Sequence, residues 1–290
     1  MSDPHTACFA DRAVYRTVEI VENVQLARDT YRVRFDAPEI ARSITPGQFL
    51  MLRASGCNDP LLGRPLALYD TVLNHAGQPT SIDVVYLVSG KFTTLLSQSR
   101  PGRKLDVWGP LGNGFAATPA EHLVMVAGGI GQTPFVALAR EYLGHGAYGE
   151  PARTPPKAKQ VTLCYGARNR EFLAGLSDFE AAGVQVLLST DDGSIGRHGR
   201  VTELVSELLP RLTSRDRIVC CGPEPMLRAA AQLITPTPVP CQLSLETPMA
   251  CGIGICFSCV AKVRDESGGW DYRRTCVEGP VFEAAAIEFA

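Results

Sequence analysis

Four cysteines near the C-terminus restrict the fold of this chain more than any other feature. Cys251, Cys256 and Cys259 have the spacing Cys-x4-Cys-x2-Cys, and Cys276 follows further along the chain. Four thiolates can hold the two irons of a 2Fe–2S cluster, and this spacing is typical of the plant-type cluster. Two glycines between the first two cysteines lack Cβ, so the backbone can wrap closely and aim N–H groups at sulfur. The pattern therefore predicts a C-terminal module folded around a 2Fe–2S cluster.

Zinc and disulfide bonds are the other uses of such thiols. A structural zinc site also takes four cysteines, but it favours two Cys-x2-Cys pairs. Only Cys256 and Cys259 form such a pair here. Disulfide bonds are disfavoured because the N-terminal segment MSDPHTACFADRAVYR lacks the apolar core of a secretory signal. A cytoplasmic location with reduced thiols is therefore expected.

Six further cysteines bring the total to ten. Cys164, Cys220 and Cys221 lie in apolar runs and are expected to act as small buried hydrophobic residues. We assign no role from sequence to the remaining three, which are Cys8, Cys57 and Cys241.

Length and charge limit the classes of function. The chain has 290 residues, of which 45% are hydrophobic, so two domains plus a small module are expected. A net charge of −2 and the lack of a long basic run give no support for nucleic-acid binding. No run of about 18 apolar residues occurs, so no membrane-spanning segment is expected.

Residues 14–116 carry short β-rich runs separated by Gly, Pro, Asn and Asp. Examples are TYRVRFDAP, GQFLMLRA, RPLALYDTV and SIDVVYLVSG. Runs of this length with such turn residues predict an antiparallel barrel or sandwich as the first domain. One turn of helix is expected between Thr93 and Ser99.

Residues 120–238 alternate apolar strands with helical segments. HLVMVAG runs into GGIGQTPFVALAREYL, and VTLCYGA, VQVLLST and IVCCGP follow. This alternation predicts a parallel sheet with helices on both faces. The Gly- and Pro-rich stretch 144–159 is expected to be a surface loop. Residues 240–290 make the third unit, with CVAKV and DYRRTC as the two strands of a hairpin beside the cluster.

Two strand-to-helix junctions in the second domain suit a nucleotide. The turn at 128–131, Gly-Gly-Ile-Gly, can bring helix N–H groups close to a phosphate. The junction Cys221-Gly222-Pro223 lies at the carboxyl edge of the predicted sheet, where ligands bind in such folds. A tight turn without a ligand is the alternative for the first, and ordinary helix-start chemistry for the second.

The order of the motifs resembles that of the ferredoxin–NAD(P) reductase superfamily. Arg64-Pro65 in the β-rich region is followed by GPLGNGF, VAGGIGQTP, TDDGS and CGPEPML. The tail, MACGIGICFSCVAKV with RRTCVEGPVF, resembles the electron-transfer subunits of NAD-dependent dihydroorotate dehydrogenase. The resemblance covers residues 15–282. Cys251 stands where related small subunits of sulfide dehydrogenase and transhydrogenase-type enzymes commonly carry Asp, which favours the dihydroorotate branch.

The resemblance implies FAD in the first domain and a nicotinamide nucleotide in the second, with residues 112–115 at their junction. Arg64 would hold the FAD diphosphate through paired N–H groups. The other implied FAD contacts are Pro65, Leu66, Ala67, Val85, Tyr86, Leu87, Phe92, Thr93 and Thr94. The implied contacts of the nicotinamide nucleotide are Gly128, Gly129, Gly131, Thr133, Cys221, Gly222, Pro223 and Met226. Two residues depart from the family pattern, Ala67 in place of Ser and Phe92 in place of Gly.

The implied function is electron transfer in pyrimidine biosynthesis. Electrons from the FMN of a catalytic partner subunit would pass through the 2Fe–2S cluster and FAD to NAD+, in a heterotetramer with two copies of each chain. This chain would then need no catalytic acid or base of its own. The alternatives are an NAD(P)H reductase subunit for a sulfide dehydrogenase, glutamate-synthase-like or oxygenase partner, and a regulatory subunit without turnover.

The choice between NAD and NADP is not decided by residue type. An acidic side chain near the ribose favours NAD, and an arginine favours the 2′-phosphate of NADP. Asp191 and Asp192 are acidic, whereas Arg168 and Arg170 are basic. NAD is implied by the resemblance.

Overall fold

The structure, a computed structural model, describes residues 9–265 and 267–289. Cys8 lies outside these residues. Among the described residues, no helix is both long and apolar enough to cross a membrane.

The first domain is a closed six-stranded barrel, which confirms the predicted fold class. Its neighbours pair antiparallel in the order β1-β2-β5-β4-β3-β6. Inward side chains such as Val33, Phe35 and Leu50 fill the interior. The elements are β1 Val14–Ala27, β2 Thr30–Asp36, α1 Pro38–Ser43, β3 Phe49–Ala54, β4 Arg64–Leu73, β5 Pro79–Leu87, α2 Lys91–Ser97 and β6 Lys104–Leu111.

The second domain is the predicted parallel sheet with helices on both faces. Successive residues of a strand point to opposite faces. Leu123 and Met125 therefore pack in one core with Phe135, whereas Val124 and Val126 pack in the other core. Its elements are β7 His122–Gly128, α3 Phe135–Leu143, β8 Gln160–Ala167, α4 Leu176–Ala181, β9 Gln185–Thr190, β10 Arg197–His198, α5 Val201–Leu208, β11 Arg217–Cys221 and α6 Glu224–Ile234.

The C-terminal module contains the predicted hairpin, β13 Val260–Arg264 with β14 Trp270–Arg274. Two further strands, β12 Cys241–Ser244 and β15 Val281–Glu283, extend the central sheet in the order β10-β9-β8-β7-β11-β12-β15. The first strand after the predicted boundary at 238–240 thus pairs with β11 of the second domain. The cysteine segment lies in the chain between β12 and β15, so both of its ends are fixed to that sheet.

The stretch 144–159 holds the two domains together, a role that its composition did not predict. Tyr148 is buried against the barrel core. Its hydroxyl donates to Oδ1 of Asp70 at 2.7 Å, and Arg140 of α3 donates to Oδ2 at 2.6 Å. Burial raises the pKa of Asp70 even though these donors act to lower it. A buried carboxylate with charged and neutral donors therefore joins β4 to α3.

Replacing Tyr148 with phenylalanine should destabilise the fold by about 1–3 kcal/mol, because a buried carboxylate loses a donor. The pKa of Asp70 is higher in the folded protein than in the unfolded chain. Protonated Asp70 therefore stabilises the fold fully at pH values below the unfolded pKa, and this contribution is lost as pH rises through the folded pKa. Loss of the hydroxyl raises that pKa further, and the destabilisation should be larger at about pH 7 than at about pH 4. Urea-unfolding midpoints at both pH values measure it.

Tyr142→Phe is the matched control, since that hydroxyl donates at 2.6 Å to the neutral carbonyl of Thr118. We expect a smaller loss with little dependence on pH. Equal, pH-independent losses in the two variants would show that the Asp70 charge has no special part in the domain contact.

Candidate functional site

A cavity of about 490 Å³ lies where the strands of the central sheet end. Gly128, Gly166 and Ser189 line it from the carboxyl ends of β7, β8 and β9, and the barrel contributes Thr30 and Leu87. Ligands of open α/β sheets bind at this edge. Of the predicted nucleotide contacts, the cavity wall contains Gly128, Gly129, Gly222, Pro223 and Met226.

Three predicted nucleotide contacts of the two glycine junctions lie behind the cavity wall, where the backbone is closely packed. A Cβ on Gly131 would lie 2.2 Å from the carbonyl oxygen of Cys221, so only glycine allows the two turns to approach so closely. Gly131 and Thr133 are buried, and the Thr133 N–H donates to the Ile130 carbonyl at 3.1 Å. Gly131, Thr133 and Cys221 are not among the lining residues. These three residues lie behind the cavity wall and support it. A direct contact of any of them with a nucleotide stays a prediction.

The charged candidates separate into two groups. Arg168 and Asp191 line the cavity, with their side chains exposed. Asp192 instead accepts the Ser194 N–H at 2.9 Å, and hydrogen bonds from Ser194 hold the pKa of Asp192 below its usual value. The Arg170 N–H donates to the Ser194 hydroxyl at 2.9 Å, in the same turn. The Asp192 carboxylate and the backbone N–H of Arg170 thus stabilise the Ser194 turn, and neither residue lines the cavity.

Two charged residues of the cavity were missed from the sequence. Arg200 stands just before α5, and Glu246 comes from the C-terminal module, five positions before Cys251. Neither residue lies in a sequence motif. Only the fold brings the two together at this edge of the sheet. Glu246 shows that the cysteine module forms part of the cavity wall.

Arg64 opens β4 at the barrel surface. Its Nη1 donates to the carbonyls of Leu62 at 3.1 Å and Gly63 at 3.0 Å, and the side chain is exposed. No carboxylate of the described residues forms an ion pair with Arg64, which leaves guanidinium donors for a phosphate. Pro65, Leu66 and Ala67 follow on the strand and are half-buried. This arrangement fits an FAD diphosphate and ring, although these individual contacts stay predictions.

The other implied FAD contacts are mostly buried. Phe92 packs into the barrel core, and the Thr93 hydroxyl accepts the N–H groups of Ser89 and Gly90 at 3.0 and 3.1 Å. Thr94 is exposed beside them. Val85 and Tyr86 are also buried, with the Tyr86 hydroxyl donating to Asn23 at 3.0 Å. Phe92, one of the two departures from the family pattern, therefore fills the core, and the Thr93 hydroxyl holds the turn at Ser89 and Gly90.

The cysteines of the module associate in two pairs. Hydrogen bonds from Ser258, and then from Cys251, lower the pKa of the exposed Cys256 thiol to about 6. Burial, and then contact with Cys259, raises the pKa of the Cys276 thiol. In residues 9–265 and 267–289, no three His, Cys, Asp or Glu side chains converge on a single metal-ion position. Two thiol pairs suit two irons with two thiolates each, as a 2Fe–2S cluster requires.

A backbone N–H and a hydroxyl group near the thiols also fit a cluster. The Ile253 N–H donates to Cys251 Sγ at 3.4 Å, and the Ser258 hydroxyl lies 3.2 Å from Cys256 Sγ. Gly252 and Gly254 have positive φ angles of 74° and 84°, which favour glycine and turn the loop around the thiols. Donors to sulfur tune such a cluster.

Three known domains match the chain in series. Residues 17–115 match an oxidoreductase FAD-binding domain, and residues 125–232 an oxidoreductase NAD-binding domain. Residues 246–288 match the iron–sulfur cluster binding domain of dihydroorotate dehydrogenase B. These matches confirm FAD, NAD and an iron–sulfur cluster as the cofactors, in place of zinc or disulfide bonds.

Relatives of known function match over nearly their whole length. The electron transfer subunit of dihydroorotate dehydrogenase B (NAD(+)) from Desulforamulus reducens is 36% identical over 260 residues, covering 89% of this chain and 92% of the relative. That of Caldanaerobacter subterraneus is 34% identical, covering 93% and 97%.

Solved structures give the same fold. A chain of an NADH-dependent reduced ferredoxin-NADP oxidoreductase superposes with a TM-score of 0.76 at 27% identity, covering 93% of this chain and 89% of that one. The cytochrome b5 reductase domain of Ulva prolifera nitrate reductase shares the fold, with a TM-score of 0.60 at 18% identity over 77% of this chain and 93% of that one. With three matching domains and relatives above 30% identity, the chain belongs to the family of electron transfer subunits of NAD+-dependent dihydroorotate dehydrogenase B.

Proposed function

We propose that this chain carries electrons from the FMN of a dihydroorotate dehydrogenase catalytic subunit to NAD+ in pyrimidine biosynthesis. The observation that carries the proposal is the four-cysteine module of the dihydroorotate dehydrogenase B type, joined on one chain to FAD and NAD domains. When bound, the cluster carries single electrons and FAD exchanges a pair, so that electrons leave as hydride to NAD+. A cytoplasmic location stays a prediction.

The protein's own residues bind and orient these groups. Arg64 supplies guanidinium donors to the FAD diphosphate, and the turn at 128–131 supplies backbone N–H groups to the pyrophosphate of NAD. The thiolates of Cys251, Cys256, Cys259 and Cys276 bind the two irons. Hydride transfer to nicotinamide moves no separate proton, so these residues need only to position the groups and exclude water.

The surface around the cysteine loop is suited to the catalytic partner. Ile255 and Phe257 are 75% and 62% exposed, and Ile253 and Tyr15 are exposed beside them. A groove of about 610 Å³ runs along Tyr15, Trp108 and Cys251. Exposed apolar side chains that cluster in this way are typical of an interaction site. We place the partner here because electrons have to enter near the cysteines, and the heterotetramer of two copies of each chain stays part of the proposal.

Mixing this chain with the FMN-containing subunit tests the function. We expect NAD+ reduction that depends on dihydroorotate and on both chains, together with co-elution of the two. A double variant, Ile255→Asp with Phe257→Asp, should weaken both while leaving NADH-dependent dye reduction by the isolated chain unchanged. Dye reduction without any dihydroorotate-dependent activity in the mixture would contradict the proposal and favour a reductase subunit for a different partner.

A further inference from the structure

Trp108 connects the barrel to the cysteine loop. Its indole Nε1–H donates to the carbonyl of Cys251 at 3.0 Å. Trp108 lies on β6, and its ring stacks with that of Tyr15 on β1, with centroids 6.3 Å apart. The indole has a single N–H donor, and Trp108 donates it to this loop.

The other edge of the Trp108 ring faces the start of β4, the FAD strand, which carries the predicted FAD contacts Arg64 to Ala67. A Cβ on Gly63 would lie 2.6 Å from Cη2 of Trp108, and Gly63 directly precedes Arg64. One residue therefore touches the backbone that leads into the FAD strand and bonds the backbone of a cluster cysteine.

The neighbouring strand β3 completes this contact. Met51 pairs with Pro65 of β4 on one side and with Trp108 of β6 on the other. A Cβ on Gly252 would lie 2.5 Å from Cγ of Met51, so the cysteine loop rests directly on β3. Met51 also shares an apolar cluster with Cys259 and Cys276. The cysteine loop therefore contacts β3, and β4 is the next strand of the barrel. Adjacent strands lie about 4.8 Å apart.

We propose that Trp108 is a positioning residue for the 2Fe–2S cluster, holding the Cys251 loop against β3, the strand next to the one that carries the predicted FAD contacts. The inference rests on the proposed function, since it assumes a cluster on the four cysteines. With the Cys251 carbonyl fixed by the indole, the next turn keeps the Ile253 N–H directed at Cys251 Sγ. Loss of the indole donor frees the first ligand and lets the loop move relative to β3.

Trp108→Phe is the test, because it keeps an aromatic ring beside Tyr15 but removes the N–H donor, together with the indole atoms that face Gly63. Trp270→Phe is the matched control. Trp270 is the second of the two tryptophans, and it lies on the β13–β14 hairpin with its ring 3.9 Å from Lys262 Nζ. We expect Trp108→Phe to release iron to a chelator about 10-fold faster than the wild type, the lower end of the effect of losing a partner of a metal ligand. Trp270→Phe should match the wild type.

Two spectroscopic readouts report on the position of the loop independently of turnover. The electron paramagnetic resonance line shape of the reduced cluster should change in Trp108→Phe and not in Trp270→Phe. In Trp270→Phe, where Trp108 is the one remaining tryptophan, emission should rise when iron is removed, because a visible-absorbing cluster beside the ring quenches it.

The outcomes separate the two proposals. Wild-type protein that contains no iron and no acid-labile sulfide contradicts the proposed function. Wild-type protein that holds a cluster, with Trp108→Phe equal to it in iron release and line shape, overturns the role of Trp108 alone. If Trp108→Phe fails to fold, unchanged Trp108 emission on iron removal in the Trp270→Phe protein also overturns it.

Discussion

Replacing Cys259 with serine should reduce dihydroorotate-dependent NAD+ reduction by more than about 100-fold, beyond the loss caused by removing only an outer partner of a metal ligand. Cys259 is buried in the module beside Cys276, and both approach Met51 of the barrel. Loss of one thiolate leaves an iron with incomplete ligation. NADH-dependent reduction of a two-electron dye should stay close to the wild-type rate, because the FAD and NAD contacts lie on other segments.

Cys57→Ser is the control for this exchange. Cys57 is a half-buried free thiol in the barrel, and its Sγ donates to the Asp59 carbonyl at 3.0 Å. Iron content, acid-labile sulfide and both activities should stay at wild-type levels in that variant. A Cys259→Ser protein that has lost its iron and acid-labile sulfide but keeps full dihydroorotate-dependent activity would exclude the cluster from the electron path.

Asp191→Asn should shift the preference from NADH toward NADPH. We expect kcat/KM with NADH to fall by about 10- to 100-fold, since a hydrogen bond to a charged group contributes about 1.5–3 kcal/mol. With NADPH the value should rise, because Asp191 no longer repels a 2′-phosphate while Arg168 and Arg200 still line the same cavity. Steady-state kinetics of dye reduction with both nucleotides measure the change.

The adjacent acid provides the comparison. Asp192 does not line the cavity, and its carboxylate accepts the Ser194 N–H. Asp192→Asn should therefore leave the ratio of kcat/KM for NADH and NADPH unchanged. A similar shift in both variants would mean that general surface charge, and not a contact of Asp191 with the ribose, sets the preference.

The sequence predicted the two large domains because their patterns are local. Alternating residues in HLVMVAG pack on opposite faces of the sheet, as their period requires. The pairing of β12 and β15 with the central sheet was missed, since a short strand gives no signal of its neighbour. For the same reason Tyr148 was placed in a surface loop. Its burial depends on the barrel, which lies far away in sequence.

Sequence patterns indicated the candidate site where one short segment carries it. The thiol spacing predicted the cluster module, and Gly128 and Gly129 of the glycine turn line the cavity, whereas their contact with a nucleotide stays a prediction. Residues brought in from distant segments were missed, as Glu246 and Arg200 show. Trp108 had no motif either, because its contact with Cys251 exists only when the module folds onto β3 and β6. The sequence also offered no reason to prefer Asp191 over Asp192 as a ribose contact. In the structure Asp191 lines the cavity, whereas Asp192 accepts the Ser194 N–H.

The most direct measurement is the electron paramagnetic resonance spectrum of the anaerobically purified chain after reduction with NADH. A signal from one reduced 2Fe–2S cluster per chain is expected, because the electrons must pass from the nucleotide site through FAD to the four cysteines. A chain that binds FAD and oxidises NADH but shows no such signal, and holds neither iron nor acid-labile sulfide, would contradict electron transfer through this module.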